Sequence, residues 1–179
     1  MKKIPTLFER DWAGDKSKVL PGVPKVDLTG AVATRKFDGS AVLVENGKLY
    51  RRYDAKHGKA EPPNFRLVER DDETGHVVGW IPVEPTDPSN KWLLSIPMPT
   101  EDGTYEFCGP KMQGNPEGLP EHMFIRHGVV TVNAPVTFEG IREYLSASNI
   151  EGIVWWKDGV PIAKIKRRDF GLSWPVKKA

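Results

Sequence analysis

The residues best suited to chemistry in this sequence are lysines and glutamates at strand-like positions. Lys36 stands in the run TRKFDGSAVLV, just ahead of an Asp-Gly turn and an apolar stretch. A lysine amine attacks phosphorus or carbonyl carbon only after losing its proton, and its ordinary pKa is about 10.4. The pattern Lys-x-Asp-Gly also arises by chance in about 4% of chains of this length. Taken alone, it therefore favours a solvated hairpin rim.

A second pair of lysines lies in AKIKRR, near the C-terminus. Lys164 and Lys166 are two residues apart on a predicted strand, so both side chains leave the same face. Two ammonium groups on one sheet face are costly unless they meet an anion or water. A solvated strand face accounts for this pair alone, whereas a phosphate bound between the pair and Lys36 accounts for all three lysines.

Two glutamates and an arginine pair complete the set of candidates. Glu106 lies in YEFCG and Glu151 opens EGIVWW, both predicted strands, although acids are poor strand formers. Phosphoryl transfer requires Mg²⁺ held by oxygen ligands, but a turn cap or an ion pair explains either glutamate alone. Arg51 and Arg52 lie on opposite faces of KLYRRYD, which is predicted to neighbour the Lys36 strand. One of them is therefore expected to share a pocket with Lys36, and the other to face solvent or an acid.

The elements that position these residues are mostly strands. Residues 30–53 are predicted to form a hairpin or meander with a turn at Asn46-Gly47. TFEGIREYLSASN is predicted to be a helix capped by Thr137. The remaining predicted strands are HVVGWIPV, KWLLSIP, TYEFCGPK, MFIRHGVVTV, and EGIVWWK joined to VPIAKIKRR by the turn KDGV. This pattern predicts an α+β fold with mainly antiparallel sheets, as a single domain over residues 1–179.

Composition limits the class of protein. The net charge of the 179 residues is only +2, so affinity for nucleic acid must come from local clusters of Lys and Arg. The single cysteine, Cys108, excludes an internal disulfide and a multi-cysteine zinc site. With no signal-peptide pattern and no apolar run of membrane-spanning length, the sequence predicts a cytoplasmic protein that does not bind membranes.

In order, the motifs KFDG, RRYDAKHG, YEFCG, EGIVWW and AKIK resemble those of the covalent nucleotidyltransferase superfamily. This superfamily contains ATP-dependent DNA and RNA ligases and GTP-using mRNA capping enzymes. The resemblance spans residues 34–168 and is closest to the small RNA ligases. It implies a nucleotidyltransferase (adenylation) domain with two mainly antiparallel sheets around a nucleotide cleft. Because AKIKRR ends at Arg168, no C-terminal OB domain is expected, which disfavours DNA ligation and capping.

The resemblance also implies roles for individual residues. Lys36 would attack the α-phosphate of ATP and form a Lys–AMP phosphoramidate, with Lys164 and Lys166 contacting that phosphate. AMP would then pass to a 5′-phosphate, and a 3′-hydroxyl would seal the strand. Glu151 would hold the metal. The other implied contacts are Glu106 at the ribose hydroxyls or the metal, Arg52 at the ribose or the polynucleotide phosphate, Thr34 at the base edge, and Ile153 and Val154 as apolar surface beside the base.

The implied cofactors are ATP and Mg²⁺ or Mn²⁺, and the implied partner is an RNA end, nicked or single-stranded, with DNA left open. Phe124 and Phe138 are candidates for stacking on adenine, although core packing explains each better. The segment IPTLFERDW, with Arg10, is expected to be a packed strap rather than a source of basic groups. A basic tail is predicted to follow a phosphate backbone, and it consists of Lys166, Arg167, Arg168, Lys177 and Lys178.

Three alternatives remain at this stage. Two use the same scaffold for another nucleotidyl transfer, as a DNA ligase or as a GTP-using capping enzyme. The third is a non-catalytic nucleic-acid-binding module. Labelling of the protein by an α-labelled nucleotide separates them, because only the true donor of a nucleotidyl group becomes attached.

Overall fold

The computed structural model describes residues 1–56 and 60–176. The chain forms two compact units, each with its own hydrophobic core. The central unit comprises Met1–Lys3 and Asp38–His127, and the terminal unit comprises Ile4–Phe37 and Gly128–Ala179. The division falls within the KFDG motif. The expectation of a single domain over residues 1–179 stays a prediction.

The secondary structure is dominated by antiparallel strands, as predicted. All pairings between the strands of the described residues are antiparallel, and one α-helix accompanies them. The elements are β1 (Val32–Lys36), β2 (Ser40–Glu45), β3 (Lys48–Ala55), β4 (Arg66–Arg70), β5 (Val77–Pro82), β6 (Gly103–Cys108), β7 (Met123–Arg126), α1 (Phe138–Ser146), β8 (Gly152–Lys157) and β9 (Val160–Lys166), with 3-10 helices at Pro88–Asn90 and Arg167–Phe170.

Within the described ranges, no helix combines the length and the apolar character needed to cross a bilayer.

The central unit contains a six-stranded sheet in the order β4-β5-β3-β2-β6-β7. The β2–β3 hairpin turns at Asn46 and Gly47, whose φ angles are 51° and 75°. Two consecutive positive φ angles are typical of the tight hairpin turn that Asn-Gly favours, so this prediction is confirmed. One face of the sheet packs into a core built around Val42, Val44 and Phe107.

The predicted meander over residues 30–53 is wrong in one respect. β1 belongs to a separate three-stranded sheet, in the order β1-β8-β9, and Lys36 pairs with Gly152 rather than with a residue of β2 or β3. The segment Phe37–Gly39 that follows β1 contains no residue with positive φ. A tight hairpin turn needs that conformation, so these residues do not form the turn of a hairpin.

Other predicted boundaries also differ. KWLLSIP forms turns rather than a strand. The N–H of Ser95, for example, donates to the carbonyl of Trp92, a local hydrogen bond in place of one to a neighbouring strand. The charged edge strand β4 was not predicted, because RLVER lacks an apolar alternation. MFIRHGVVTV is a strand only over Met123–Arg126, and VPIAKIKRR is a strand only to Lys166.

The terminal unit buries α1 and the N-terminal segment against its sheet. The Thr137 hydroxyl oxygen accepts from Gly140 N–H at 3.1 Å, which confirms the predicted cap. The apolar stripe of α1 enters the core. Leu7 and Phe8 are buried in the same core, and Leu7 N–H bonds to the carbonyl of Lys164 at 2.9 Å. The prediction of a packed N-terminal strap is therefore confirmed.

Candidate active site

Lys36 and Glu151 meet in the terminal unit. β1 ends at Lys36, which is paired with Gly152 at the start of β8. Glu151 precedes Gly152 in the chain and therefore lies beside Lys36. The distance between Lys36 Nζ and Glu151 Oε2 is 2.9 Å. The side chains are 25% and 13% exposed, respectively. The amine is therefore held by a carboxylate, yet it remains accessible to a small molecule.

The paired lysines of β9 lie within electrostatic range of this pair. Lys164 is paired with Val154 of β8 and Lys166 with Gly152, so the two lysines leave the same face of the sheet. Burial, followed by the positive charges of Lys166 and Lys36, lowers the pKa of Lys164 to about 8. The structure thus brings together the three lysines singled out in the sequence.

A buried carboxylate fixes the end of β9. Asp169 is 2% exposed, and its Oδ2 accepts a hydrogen bond from Lys166 N–H at 2.8 Å. Its Oδ1 accepts from Arg10 Nη1 at 3.2 Å, and Arg10 Nη2 donates to Thr6 Oγ1 at 3.0 Å. The position of Lys166 therefore depends on the N-terminal strap. Sequence reasoning missed Asp169. The pattern that could have revealed it is an acid three residues after Lys166, the position from which a side chain caps the start of the helix at Arg167–Phe170.

The residues expected beside the adenine base also lie in this unit, but in its interior. Thr34 is 1% exposed, and its hydroxyl donates to the carbonyl of Val154 at 2.7 Å. Ile153 and Val154 are buried. They support the strand that carries Lys36, and their contact with a base stays a prediction.

Glu106 lies in the central unit, on β6. Its Oε2 accepts a hydrogen bond from Gly39 N–H at 3.1 Å, and its Oε1 is 2.8 Å from His127 Nε2. A Cβ atom added to Gly39 would lie 2.2 Å from the carbonyl oxygen of Phe107, so only glycine permits this approach to β6. Sequence reasoning missed His127, which follows the strand MFIR directly.

The expectation that the strand carrying Arg51 and Arg52 neighbours the Lys36 strand is wrong, whereas the role of Arg52 at the ribose or the RNA phosphate stays a prediction. β3 lies between β2 and β5 in the central sheet, whereas β1 belongs to the other sheet. Arg52 lies over the ring of Trp80, and its Nε donates to Asp54 at 2.9 Å. Arg51 faces Asp87, as expected for the other arginine of the pair. Part of the motif RRYDAKHG, including Gly58, lies outside the described residues.

Phe124 and Phe138, the two candidates for stacking on adenine, each pack against a hydrophobic core. Core packing was the favoured expectation for both. Phe124 packs against Phe107 with ring centroids 4.8 Å apart. Phe138 packs edge-to-face against Phe8 and Phe170, at 5.2 and 5.1 Å.

The prediction of a basic tail is wrong for Arg167. Its side chain is buried, and its guanidinium donates to the carbonyls of Leu145, Ser148 and Ser173. Burial lowers its pKa. Arg168 is exposed. Lys177 and Lys178 lie outside the described residues.

Replacing Arg167 with Met should therefore destabilise the fold without removing a contact with RNA. Three carbonyls lose a donor, and we expect the free energy of unfolding to fall by about 3 kcal/mol. Arg168→Met is the matched control, with an expected loss below about 1 kcal/mol. Urea unfolding of both variants measures the difference. Equal stability of the two variants would contradict a structural role for Arg167.

The donor set fits a polyphosphate and a hydrated Mg²⁺. An anion relieves the mutual repulsion of the three lysines, which is the cause of part of the lowered pKa of Lys164. Within residues 1–56 and 60–176, no group of three or more His, Cys, Asp or Glu side chains is placed to bind a metal. Mg²⁺ is often bound by one or two carboxylates together with substrate phosphates and water, so the Glu151 carboxylate fits this ion.

Comparison with known proteins identifies the family. A family model described as RNA ligase 1 matches residues 88–179. RNA ligase 1 of Danio rerio is 30% identical over 236 aligned positions, which cover 88% of this chain and 73% of that protein. RNA ligase 1 of Rattus norvegicus is 28% identical over 232 positions, with 84% and 70% covered.

These matches place the chain among the RNA ligase-type nucleotidyltransferases, and hence among enzymes, as its motifs indicated. More narrowly, the chain belongs to the RNA ligase 1 family.

Proposed function

We propose that this enzyme is an ATP-dependent RNA ligase that works through a covalent Lys–AMP intermediate on Lys36. The observation that carries the proposal is the contact of Lys36 with Glu151 at 2.9 Å, within electrostatic range of two lysines on β9. Membership of the RNA ligase 1 family supports it. We further propose that the two antiparallel sheets are those of a nucleotidyltransferase (adenylation) domain.

In the first step, the neutral amine of Lys36 attacks the α-phosphorus of ATP. A P–N bond forms, the bond between the α-phosphorus and the leaving oxygen breaks, pyrophosphate departs, and the nitrogen releases one proton to solvent. Glu151 Oε2 orients the amine through its hydrogen bond. The charges of Lys164 and Lys166 stabilise the negative charge on the α-phosphate. Burial, together with the positive charges of Lys166 and Lys36, lowers the pKa of Lys164 within this cluster.

The metal and nucleotide contacts are assigned by the same proposal. Glu151 would hold Mg²⁺ or Mn²⁺, which neutralises phosphate charge when bound. Glu106 would bind the ribose hydroxyls or, alternatively, the metal. The remaining proposed contacts are Thr34, Ile153 and Val154 at the base, and Arg52 at the ribose or at the phosphate of the RNA.

In the later steps, AMP passes to the 5′-phosphate of an RNA end. A 3′-hydroxyl then attacks that phosphate, releases AMP and seals the strand. The proposed substrates are RNA ends, nicked or single-stranded, because the matched relatives are named RNA ligase 1. DNA ends remain a second candidate substrate.

Two measurements test this function. The first incubates the protein with Mg²⁺ and either ATP or GTP labelled at the α-phosphate, and we expect ATP alone to label the protein. The second supplies nicked RNA or DNA duplexes of one sequence, and we expect sealing of the RNA nick. Labelling by GTP would indicate a capping-type enzyme, and sealing of DNA alone would indicate a DNA ligase. Absence of any label under several metals would contradict the proposal.

A further inference from the structure

The carboxylate of Glu106 is held at both oxygens by residues of the central unit. His127 Nε2 lies 2.8 Å from Oε1, and Gly39 N–H donates to Oε2 at 3.1 Å. The Glu106 side chain is 13% exposed, so it is largely shielded from competing water. Each carboxylate oxygen can accept two hydrogen bonds, and these contacts leave capacity for a ligand.

The imidazole of His127 is itself fixed at both nitrogens. Its Nδ1 lies 2.9 Å from Thr104 Oγ1, while its Nε2 contacts Glu106. Thr104 and Glu106 are two residues apart on β6, so their side chains leave the same face and the ring spans both. When Nδ1 accepts from the threonine hydroxyl, Nε2 carries the hydrogen and donates to the carboxylate. The protonated ring also donates from Nε2.

The backbone on the other side of Glu106 has little freedom to move. A Cβ at Gly39 would lie 2.2 Å from the carbonyl oxygen of Phe107 and 2.8 Å from Cys108 Sγ. The N–H of Gly39 is therefore packed directly against β6. Without the histidine, the Gly39 N–H would be the one remaining hydrogen-bond donor to Glu106 among the described residues, and the carboxylate would be free to rotate about its terminal bond.

We propose that His127 is a positioning residue that sets the orientation of the Glu106 carboxylate and so determines how strongly the enzyme prefers a ribonucleotide donor. The inference rests on the proposed function, in which Glu106 binds the ribose hydroxyls. A carboxylate held in one orientation presents its remaining acceptor positions to a 2′-hydroxyl. The same carboxylate, if free to rotate, distinguishes less well between ATP and 2′-deoxyATP.

Two substitutions separate the contacts of the ring. The amide nitrogen of His127→Gln reaches the position of Nε2 and can donate to Glu106, whereas the shorter side chain of His127→Asn reaches only the position of Nδ1. We expect wild type to prefer ATP over 2′-deoxyATP in kcat/KM for formation of Lys–AMP. In the Asn variant this preference should fall about tenfold, mainly through a higher KM for ATP. A fall of this size corresponds to the loss of one charge-assisted hydrogen bond. The Gln variant should retain the preference within about threefold.

His122→Asn is a matched control in the same unit. The ring of His122 stacks on Trp92 and Phe107, and its Nε2 accepts from Lys111 N–H at 3.1 Å, without contact with Glu106. We expect this substitution to lower the thermal midpoint and leave the ratio of ATP to 2′-deoxyATP unchanged. If His127→Asn does not fold, Thr104→Val takes its place in the test. This substitution removes the contact at Nδ1 of His127 but leaves Nε2 able to donate to Glu106, so we expect an intermediate loss of the preference for ATP.

The outcomes distinguish the inference from the function beneath it. If wild type forms no Lys–AMP, the proposed function fails. If wild type is labelled and folded His127→Asn keeps the full preference for ATP, only the positioning role is overturned. Equal losses in the Gln and Asn variants would also overturn it, because the contact of Nε2 with Glu106 would then be irrelevant.

Discussion

Lys36→Ala should abolish the gain of one AMP that wild type shows after exposure to ATP and Mg²⁺. The nitrogen of this amine is the atom that forms the phosphoramidate, and it lies 2.9 Å from the Glu151 carboxylate. We expect the rate of adduct formation to fall by at least about 10⁴-fold. Intact mass spectrometry of the protein measures the adduct directly.

Two further substitutions sharpen this result. Lys36→Arg keeps the positive charge beside Glu151 but presents a guanidinium that is not a nucleophile at neutral pH, so it should also form no adduct. Lys25→Ala is the control, since Lys25 is an exposed lysine paired with Glu9. Equal labelling of wild type and Lys36→Ala would overturn the assignment of the nucleophile. Thermal unfolding of each variant excludes loss of the fold as the cause.

The second large effect is a pH dependence set by Lys164. Burial, together with Lys166, Lys36 and Arg10, lowers the pKa of Lys164 to about 8, against the opposing charge of Asp169. The lysine is therefore charged below this pH and neutral above it. Because the α-phosphate requires the charge, kcat/KM for adenylylation should fall above pH 8 relative to that of a variant with a permanent charge at this position, by about tenfold for each further pH unit.

Two variants at this position test the origin of the decline. Lys164→Arg stays charged throughout and supplies this reference, so its own pH profile should lack the decline that Lys164 causes. Lys164→Met lacks the charge at every pH and should lower kcat/KM by about 10²- to 10³-fold at pH 7. The decline in kcat itself should lie at higher pH, because bound phosphate stabilises the ammonium form. A wild-type decline that persists in Lys164→Arg would assign it to another group.

The same pKa affects stability in the opposite direction. Folding lowers the pKa of Lys164 from its ordinary value, so unfolding takes up a proton between pH 8 and about 10.4. The unfavourable contribution of this lysine is fully present below pH 8 and is relieved as the pH rises through that window. Activity and stability should therefore change in opposite directions above pH 8.

Elements specified by nearby residues could be predicted from the sequence. The β2–β3 turn follows from Asn46-Gly47 and the β8–β9 turn from Asp158-Gly159, and all four residues adopt positive φ. The helix α1 follows from its cap at Thr137 and its apolar stripe. The shared face of the β9 lysines follows from the two-residue period of a strand.

Contacts between distant segments could not be predicted in this way. The partner of β1 begins after Glu151, 115 residues from Lys36, and no turn residue specifies that pairing. The link between Arg10 and Asp169 joins residues 159 positions apart. Arg167 resembles a solvated cation in the sequence, and only the tertiary structure shows that it donates to buried carbonyls.

The terminal unit is built from both ends of the chain, and this affects the order of events during synthesis. Domains tend to form in the order in which they leave the ribosome. The residues of the central unit are complete once His127 has been made, whereas β1 must wait for β8 and β9. A nascent chain therefore carries Lys36 on a strand that has no sheet partner until β8 has been made. The proposed self-adenylylation thus requires that β9 has been released, since the lysine cluster exists only then.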